Sequence, residues 1–283
     1  MVRWRRRLLY ALAALIVSAP VTHAQSLTFG VVPQQSASRL LEMWSALLEH
    51  LSERSGLELK FATATDIPTF ESCLAEGAYD IAYMNPYHYV VFHQAGGYAA
   101  FARQADSKLK GVLVVRTDSA IAGIEDMARA EIAFPSPAAF GASVLPRAEL
   151  AERGIAFKAR YVKSHDSVYR AVAMGLVPVG GGVVRTFRNV APEIRDQLKI
   201  VYETDAYTPH AFAARLTLSE NQIDALADAM VAAARQAPDL LRQAGFVALQ
   251  KASDADWNDI RRLSLDQRQT RIQTKKSESC HSG

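Results

Sequence analysis

The hydrophobic positions of residues 27–62 follow two different periods. Residues 27–32 form a largely apolar and β-branched run that Pro33 ends, which predicts a buried strand. Residues 38–55 place apolar side chains three and four positions apart, the spacing of one buried helix face, and Gly56 ends that helix. Residues 57–62 alternate apolar and polar positions, which predicts a second strand. The chain therefore begins with a strand–helix–strand unit.

The same alternation of strands and helices continues to about residue 263. Further strands are predicted over residues 79–83, 110–116, 131–134, 157–162 and 198–203. Helices are predicted over 67–76, from Pro86 onward, over 124–128, up to Gly154, and over 168–174, 219–234, 237–245 and 254–263. Strands that alternate with helices favour parallel sheets joined by right-handed crossovers.

The length of the chain favours two compact units rather than one. Lobe 1 is predicted to comprise residues 25–107 plus 205–265, and lobe 2 residues 108–204. Crossings near 105–109 and 203–208 would form a hinge. The predicted fold class is α/β, with two lobes that each contain a central, mostly parallel sheet flanked by helices. Residues 266–283 have no apolar stripe and are predicted to be a disordered tail.

The first 24 residues have the pattern of a secretory signal peptide. Arginines at positions 3, 5, 6 and 7 precede an apolar run over 8–19, and a small residue, Ala24, offers a cleavage site. The alternative is a retained membrane anchor, but a span needs roughly 20 apolar residues and this run is shorter. We therefore expect cleavage after Ala24 and export to the periplasm.

Removal of this leader changes the charge of the protein. The chain has 32 basic and 29 acidic residues, and four of the arginines lie in the leader. The mature chain then has 28 basic and 29 acidic residues, a net charge of −1, which gives no reason to expect a nucleic-acid partner. The two cysteines lie in a predicted helix (Cys73) and in the polar tail (Cys280), so no structural disulfide is expected.

Four loops after predicted strands are candidates for binding a ligand. In open α/β sheets, ligands collect at the carboxyl ends of strands, where the free amides of helix N-termini attract anions. Each loop also supplies polar or small side chains. The candidate ligand-binding residues are Gln34, Gln35, Tyr83, Asn85, Tyr87, Ser136, Phe140, Gly141, Ala142, Ser143, His165 and Ser167. Composition alone also allows these loops to be ordinary helix caps and turns, with His165 as a structural residue.

The sequence gives little support to catalysis. Ser164, His165 and Asp166 have the residue types of a catalytic triad, but consecutive side chains of one loop point in different directions. There is no nucleophile elbow, Walker loop or zinc-protease motif, and the glycines at 180–182 are not followed by Lys-Ser/Thr. We expect no catalytic residue, metal or cofactor, and a periplasmic hydrolase is the weaker alternative.

At these loops the sequence resembles the phosphate/phosphite/phosphonate-binding family of ABC-transporter periplasmic proteins, which have the type II periplasmic binding protein fold. The similarity runs from about Leu27 to Leu263 and depends on four segments in order. These are residues 30–36, 77–86, 134–143 and 164–167. The resemblance implies two lobes that close on an oxyanion held by helix-N-terminal amides, with Tyr83, the loop from Ser136 to Ser143, and His165 at the binding positions.

Two features depart from the pattern of that family. Phosphonate binders usually carry Ser-Thr-Ser before the glycine of the lobe 2 loop, whereas residues 137–139 are Pro-Ala-Ala. Many members also have an acidic residue after the histidine loop, which would bind a ligand amine or a P–OH proton, and residues 175–180 contain no acid. Charge-assisted hydrogen bonds contribute roughly 1.5–3 kcal/mol each, so these changes can alter the preferred ligand.

The resemblance favours a monomeric receptor for an ABC importer that docks on an inner-membrane permease. Its ligand would be a small anionic solute such as phosphonate, phosphite or phosphate. A periplasmic ligand-sensing subunit for a membrane histidine kinase would use the same fold and cleft, so the residues alone leave that alternative open.

Overall fold

The computed structural model describes residues 26–265, 267–272 and 274. The predicted leader, residues 1–24, lies outside the described residues. Within the described part of the chain, no helix has the length and apolar character that a membrane span requires.

The chain forms eleven strands within the described residues. They are β1 Ser26–Val31, β2 Glu58–Ala62, β3 Ile81–Met84, β4 Tyr98–Gln104, β5 Gly111–Arg116, β6 Glu131–Phe134, β7 Lys158–Tyr161, β8 Val179–Val183, β9 Leu198–Glu203, β10 Ala211–Arg215 and β11 Leu249–Lys251. The α-helices are α1 Ala37–Ser55, α2 Ile67–Glu76, α3 Pro86–Gln94, α4 Leu145–Glu152, α5 His165–Ala173, α6 Val184–Asn189, α7 Pro192–Arg195, α8 Glu220–Gln236, α9 Pro238–Gln243, α10 Asn258–Arg261 and α11 Gln267–Thr270. Two 3₁₀ turns, Ile124–Met127 and Asp254–Trp257, and one π-helical turn, Phe140–Val144, complete the described elements.

The strands form two sheets. The six-stranded sheet of lobe 1 has the order β11-β4-β10-β3-β1-β2, and the five-stranded sheet of lobe 2 has the order β7-β6-β8-β5-β9. The α/β, two-lobed fold class is confirmed, with helices flanking both sheets. The boundaries given above for the lobes stay a prediction.

The prediction of mostly parallel sheets is wrong in detail, because both sheets are mixed. Strand β1 pairs in parallel with β2 and β3, and β6 with β7 and β8. The strands next to the two crossings instead pair in antiparallel fashion: β10 with β3 and β4, and β5 with β8 and β9. The chain leaves lobe 1 through β4 and returns through the adjacent β10, so these two strands must run in opposite directions.

The two crossing segments also pair with each other and form the hinge. The amide of Leu109 donates to the carbonyl of Tyr207 (2.7 Å), and the amide of Tyr207 donates to the carbonyl of Leu109 (2.9 Å). Thr204 adds a side-chain acceptor for the amide of Gly111 at 3.0 Å. The two lobes are therefore joined by a short antiparallel ribbon.

Strand β8 contains three consecutive glycines, because other elements pack closely against its backbone on both faces of the sheet. A Cβ on Gly180 or Gly182 would meet Val168 or Tyr169 of α5 on one face, at 2.5 Å and 2.1 Å. A Cβ on Gly181 would lie 2.1 Å from the carbonyl oxygen of Ala142 in the π-helical turn on the other face. Both α5 and the π-helical turn thus approach the backbone of β8 more closely than any side chain would allow.

A short part of the predicted C-terminal tail packs on other residues where the structure describes it. Thr270 of α11 is buried, and its hydroxyl lies 3.0 Å from the hydroxyl of Tyr87 in lobe 1. Arg147 of lobe 2 donates to the carbonyl of Gln269 (3.4 Å), and Arg271 lies over the ring of Tyr161, also in lobe 2. This segment therefore contacts both lobes. Its few buried groups follow no helical period, so the sequence pattern does not reveal the contact.

The expectation about the cysteines is wrong for Cys73, which is disulfide-bonded. Cys280, the other cysteine of the sequence, lies outside the described residues. Whether a cysteine forms a disulfide depends on the path of the chain around it, which local sequence patterns do not encode.

We expect Gly181→Ala to destabilise the protein by about 2–3 kcal/mol, because the new methyl group would overlap a backbone carbonyl that cannot rotate away. Thermal unfolding followed by circular dichroism measures the change. Gly97→Ala is the matched control, since a Cβ there would make an ordinary contact at 3.4 Å. Equal melting temperatures for the two variants would contradict the packing argument.

Candidate ligand-binding site

A small cavity lies between the two lobes where the predicted loops meet. Its volume is about 10 Å³, room for roughly one water molecule. Lobe 1 and the adjoining hinge segment contribute Val32, Gln34, Ile67, Asn85 and His210; lobe 2 contributes Ala139, Phe140, Gly141, Ala142, His165 and Val183. No carboxylate is among these described lining residues. The cavity is therefore lined by neutral hydrogen-bonding groups and apolar side chains.

The π-helical turn Phe140–Val144 supplies backbone donors to this cavity. Its residues Phe140, Gly141 and Ala142 line the cavity, and the first amides of a helical segment have no intrahelical acceptor. The carbonyl oxygens of Gly141 and Ala142 pack on the other side against Gly111 and Gly181. Amides without an intrahelical acceptor at the start of a helical segment favour an anion beside them, and the residues at the start of this turn line the cavity.

His165 lies at the first turn of α5 and is buried and neutral. Its Nδ1 atom lies 3.0 Å from the hydroxyl oxygen of Thr186, which in turn lies 2.7 Å from the hydroxyl of Tyr169. Burial, with a smaller contribution from the nearby Arg185, lowers the pKa of His165 to about 3. With Nδ1 occupied by Thr186, Nε2 is the ring nitrogen available to a ligand.

A second buried imidazole, that of His210, was not predicted from the sequence. It lies just before β10, its ring stacks on Tyr83 with centroids 5.0 Å apart, and its Nε2 has no hydrogen-bond partner among the described residues. Burial, and to a smaller extent the positive charge of Arg185, lowers the pKa of His210 well below the ordinary value of a histidine. The cavity therefore has two neutral imidazoles.

Arg185 is the second residue that sequence reasoning missed. It is the second residue of α6, which directly follows β8, and its guanidinium donates to the side-chain oxygen of Gln34 in lobe 1. The same guanidinium lies 5.5 Å from the ring centre of Tyr83 and 5.7 Å from that of Phe246. Had the glycine-rich β8 been predicted as a strand, the rule about carboxyl ends of strands would have identified Arg185.

Three further hydrogen bonds join the lobes around the cavity. The side-chain amide of Asn85 donates to the carbonyl of Ala138 (3.1 Å), while its Oδ1 caps α3. The amide of His165 donates to the carbonyl of Gln34 (3.0 Å), and the amide of Ser36 donates to the carboxylate of Asp166 (3.3 Å). The predicted loops after β1, β3, β6 and β7 therefore meet across the cleft.

Of the twelve candidate residues, the structure brings six to the cavity: Gln34, Asn85, Phe140, Gly141, Ala142 and His165. Tyr83 lies behind it on the hinge side, and Gln35 lines a separate groove of about 380 Å³ that Arg39, Asp166 and Arg170 also line.

The remaining four candidates do not line the cavity, and three of them contact other groups. The hydroxyl of Tyr87 contacts Thr270, that of Ser143 lies 3.5 Å from Arg147, and that of Ser167 lies 3.0 Å from Ser164. Ser136 is buried without lining the cavity. Neighbouring residues of a helical turn project in different directions, so only some side chains of each loop can face the cleft.

Comparison with known proteins agrees with this architecture. A family model described as "ABC transporter, phosphonate, periplasmic substrate-binding protein" matches residues 29–257. The chain belongs to this family. It is a periplasmic substrate-binding protein of ABC transport and not an enzyme.

Three relatives place this family member among known proteins. The phosphate-import protein PhnD of Mycolicibacterium smegmatis is 24% identical over 227 residues, which are 71% of this chain and 70% of that protein. A binding protein of a Pseudomonas aeruginosa ABC phosphonate transporter has a TM-score of 0.77 at 20% identity, over 88% of this chain and 89% of that one. Prochlorococcus marinus PhnD1 in complex with methylphosphonate has a TM-score of 0.74 at 18% identity, over 84% and 97%. These relatives do not support the sensor alternative.

The two buried imidazoles should make the protein less stable in acid. Burial lowers the pKa of both below that of an exposed histidine, near 6.5, and that of His165 to about 3, so below pH 6.5 the unfolded chain binds protons that the folded chain does not. The stability present above pH 6.5 is then lost as the pH falls. At pH 5 the loss from His165 alone is about 2 kcal/mol, and His210 adds to it in the same direction.

Urea denaturation of the wild-type protein and of a His165→Asn variant at pH 7.5 and pH 5 measures this effect. We expect the variant to lose about 2 kcal/mol less than the wild type between the two pH values. An identical loss in both proteins would show that His165 does not titrate as its burial implies.

Proposed function

We propose that the protein captures a small phosphorus oxyanion, such as phosphite, phosphate or a short phosphonate, between its lobes and delivers it to an inner-membrane ABC permease. A cleaved leader, residues 1–24, would bring it to the periplasm, where it would act as a monomer. The observation that carries the proposal is the inter-lobe cavity, which combines free helix-N-terminal amides with neutral imidazoles and lacks a carboxylate among its described lining residues.

The chemistry of these groups suits an oxyanion. Backbone amides and the side-chain amide of Asn85 can donate to ligand oxygens, and a buried site strengthens each hydrogen bond. A neutral imidazole can either donate or accept, so His165 and His210 can pair with an ionised oxygen or with a P–OH group. The apolar side chains of Val32, Ile67 and Val183 can surround a P–H or P–CH₃ group.

The size of the cavity implies that capture requires the lobes to separate and close again. A tetrahedral oxyanion is larger than the single water molecule that the cavity has room for. Separation requires the four hydrogen bonds at the cleft and the ion pair between Lys163 and Asp66 to break. The described part of the C-terminal segment must also release one lobe, while the ribbon between Leu109 and Tyr207 bends. The smallest oxyanions require the least opening.

The names of the relatives support this class of ligand. One is called a phosphate-import protein, and another was solved with methylphosphonate. The Pro-Ala-Ala sequence before Phe140 removes hydroxyl donors, so in this chain the amides and imidazoles would carry more of the binding.

We expect His165→Ala to weaken binding of the preferred oxyanion at least about tenfold, because a buried ligand oxygen would lose a hydrogen-bond partner. A thermal-shift screen of phosphite, phosphate, methylphosphonate and sulfate selects the ligand. Isothermal titration calorimetry then compares the variants.

Tyr87→Phe is the control, since the hydroxyl of Tyr87 contacts Thr270 rather than the cavity. It should bind within about twofold of the wild type. Unchanged affinity in His165→Ala would refute the role of that histidine, and a screen in which no phosphorus oxyanion binds would refute the proposed function.

A further inference from the structure

A second cavity, of about 50 Å³, lies on the hinge side of the inter-lobe cavity. His210 lines both cavities, so the two cavities are adjacent at this residue. Three of the other lining residues, Arg185, Lys108 and Lys110, are basic. No carboxylate is among the described residues that line this second cavity. Glu203, outside the lining, pairs with Lys110, so the net positive charge comes from Arg185 and Lys108.

The charge of Arg185 is not compensated by a protein anion within the described part of the chain. Its guanidinium bonds to the neutral side-chain oxygen of Gln34 and packs over the rings of Tyr83 and Phe246. Lys110, by contrast, already pairs with Glu203 at 3.1 Å. A half-buried cation with only neutral partners is unusual, since buried charges are normally paired.

Gln34 connects this cation to the inter-lobe cavity. Its side chain lines that cavity and accepts the hydrogen bond from Arg185. A carboxylate that entered beside His210 could take the place of the Gln34 oxygen. That exchange would be favourable, because a guanidinium binds a carboxylate through paired, charge-assisted hydrogen bonds.

We infer that the hinge-side cavity is a subsite for an anionic substituent of the ligand, so that the protein favours a phosphonate that carries a nearby carboxylate. The inference rests on the proposed function, because the phosphonate group itself would occupy the inter-lobe cavity. The subsite would disfavour a ligand amine, since Arg185, Lys108 and Lys110 would repel an ammonium group.

Calorimetry with two ligands of the same shape tests the inference. Phosphonoacetate carries the carboxylate, and phosphonoacetamide replaces it with a neutral carboxamide. We expect the wild-type protein to bind phosphonoacetate at least about tenfold more tightly, as one desolvated charge-assisted pair would give. Equal affinities for the two ligands would overturn the inference without the need for any variant.

Substitution of Arg185 identifies the group responsible. In Arg185→Gln we expect the preference for phosphonoacetate over phosphonoacetamide to fall below about threefold. The preference is the ratio of the two dissociation constants, so an equal change in both affinities does not alter it. Arg188→Gln removes one positive charge from the same helix at an exposed position and should keep the preference. A preference retained in Arg185→Gln, or lost equally in Arg188→Gln, would contradict the subsite.

Methylphosphonate separates this inference from the function on which it rests. If methylphosphonate binds and the carboxylate brings no gain, only the subsite is wrong. If neither methylphosphonate nor either of the larger ligands binds, the proposed function is wrong and the subsite with it.

Discussion

The site depends on a close approach between a π-helical turn and two strands of lobe 2. The carbonyl oxygens of Gly141 and Ala142 lie where a Cβ of Gly111 or Gly181 would otherwise be. Only glycine at these two strand positions allows the turn to lie flat on the sheet. Gly141 and Ala142 also line the cleft, and they belong to the first turn, whose amides have no intrahelical acceptor. The preference of this cleft for an anion therefore begins with backbone packing.

Burial then determines the charge of the side chains around these amides. His165 and His210 are neutral because the closed lobes remove them from water, and Arg185 adds to the effect through its own charge. The potential of the cleft comes from helix amides and one guanidinium rather than from protonated histidines. This arrangement lets the imidazoles accept as well as donate a hydrogen bond, which suits a ligand whose oxygens can be ionised or protonated. In the proposed function, lobe closure and ligand recognition would be coupled, because Gln34, Asn85 and His165 take part in contacts between the lobes and also line the cavity.

Much of the fold could be predicted because its signals are local. The apolar stripe of α1 and the caps of α2 and α3 define those helices within a few residues. Strands β8 and β10 could not be predicted in this way. One is made mostly of glycine and the other mostly of alanine, which have low strand propensity. They are strands because neighbouring strands and α5 fit closely around them, and both Arg185 and His210 were missed for the same reason.

The sequence by itself determined the α/β alternation, the two-lobed plan and the loops that meet at the cleft, because hydrophobic period and helix caps act over a few residues. Only the tertiary structure decided which side chains of those loops face the cavity. Tyr87 and Ser143 lie in the predicted loops but contact Thr270 and Arg147, whereas Arg185 and His210 lie outside those loops and reach the cavities. The direction of a side chain, the burial of an imidazole and the pairing of a guanidinium depend on groups that are distant in the chain. Those groups come into contact only in the folded protein with its two lobes closed.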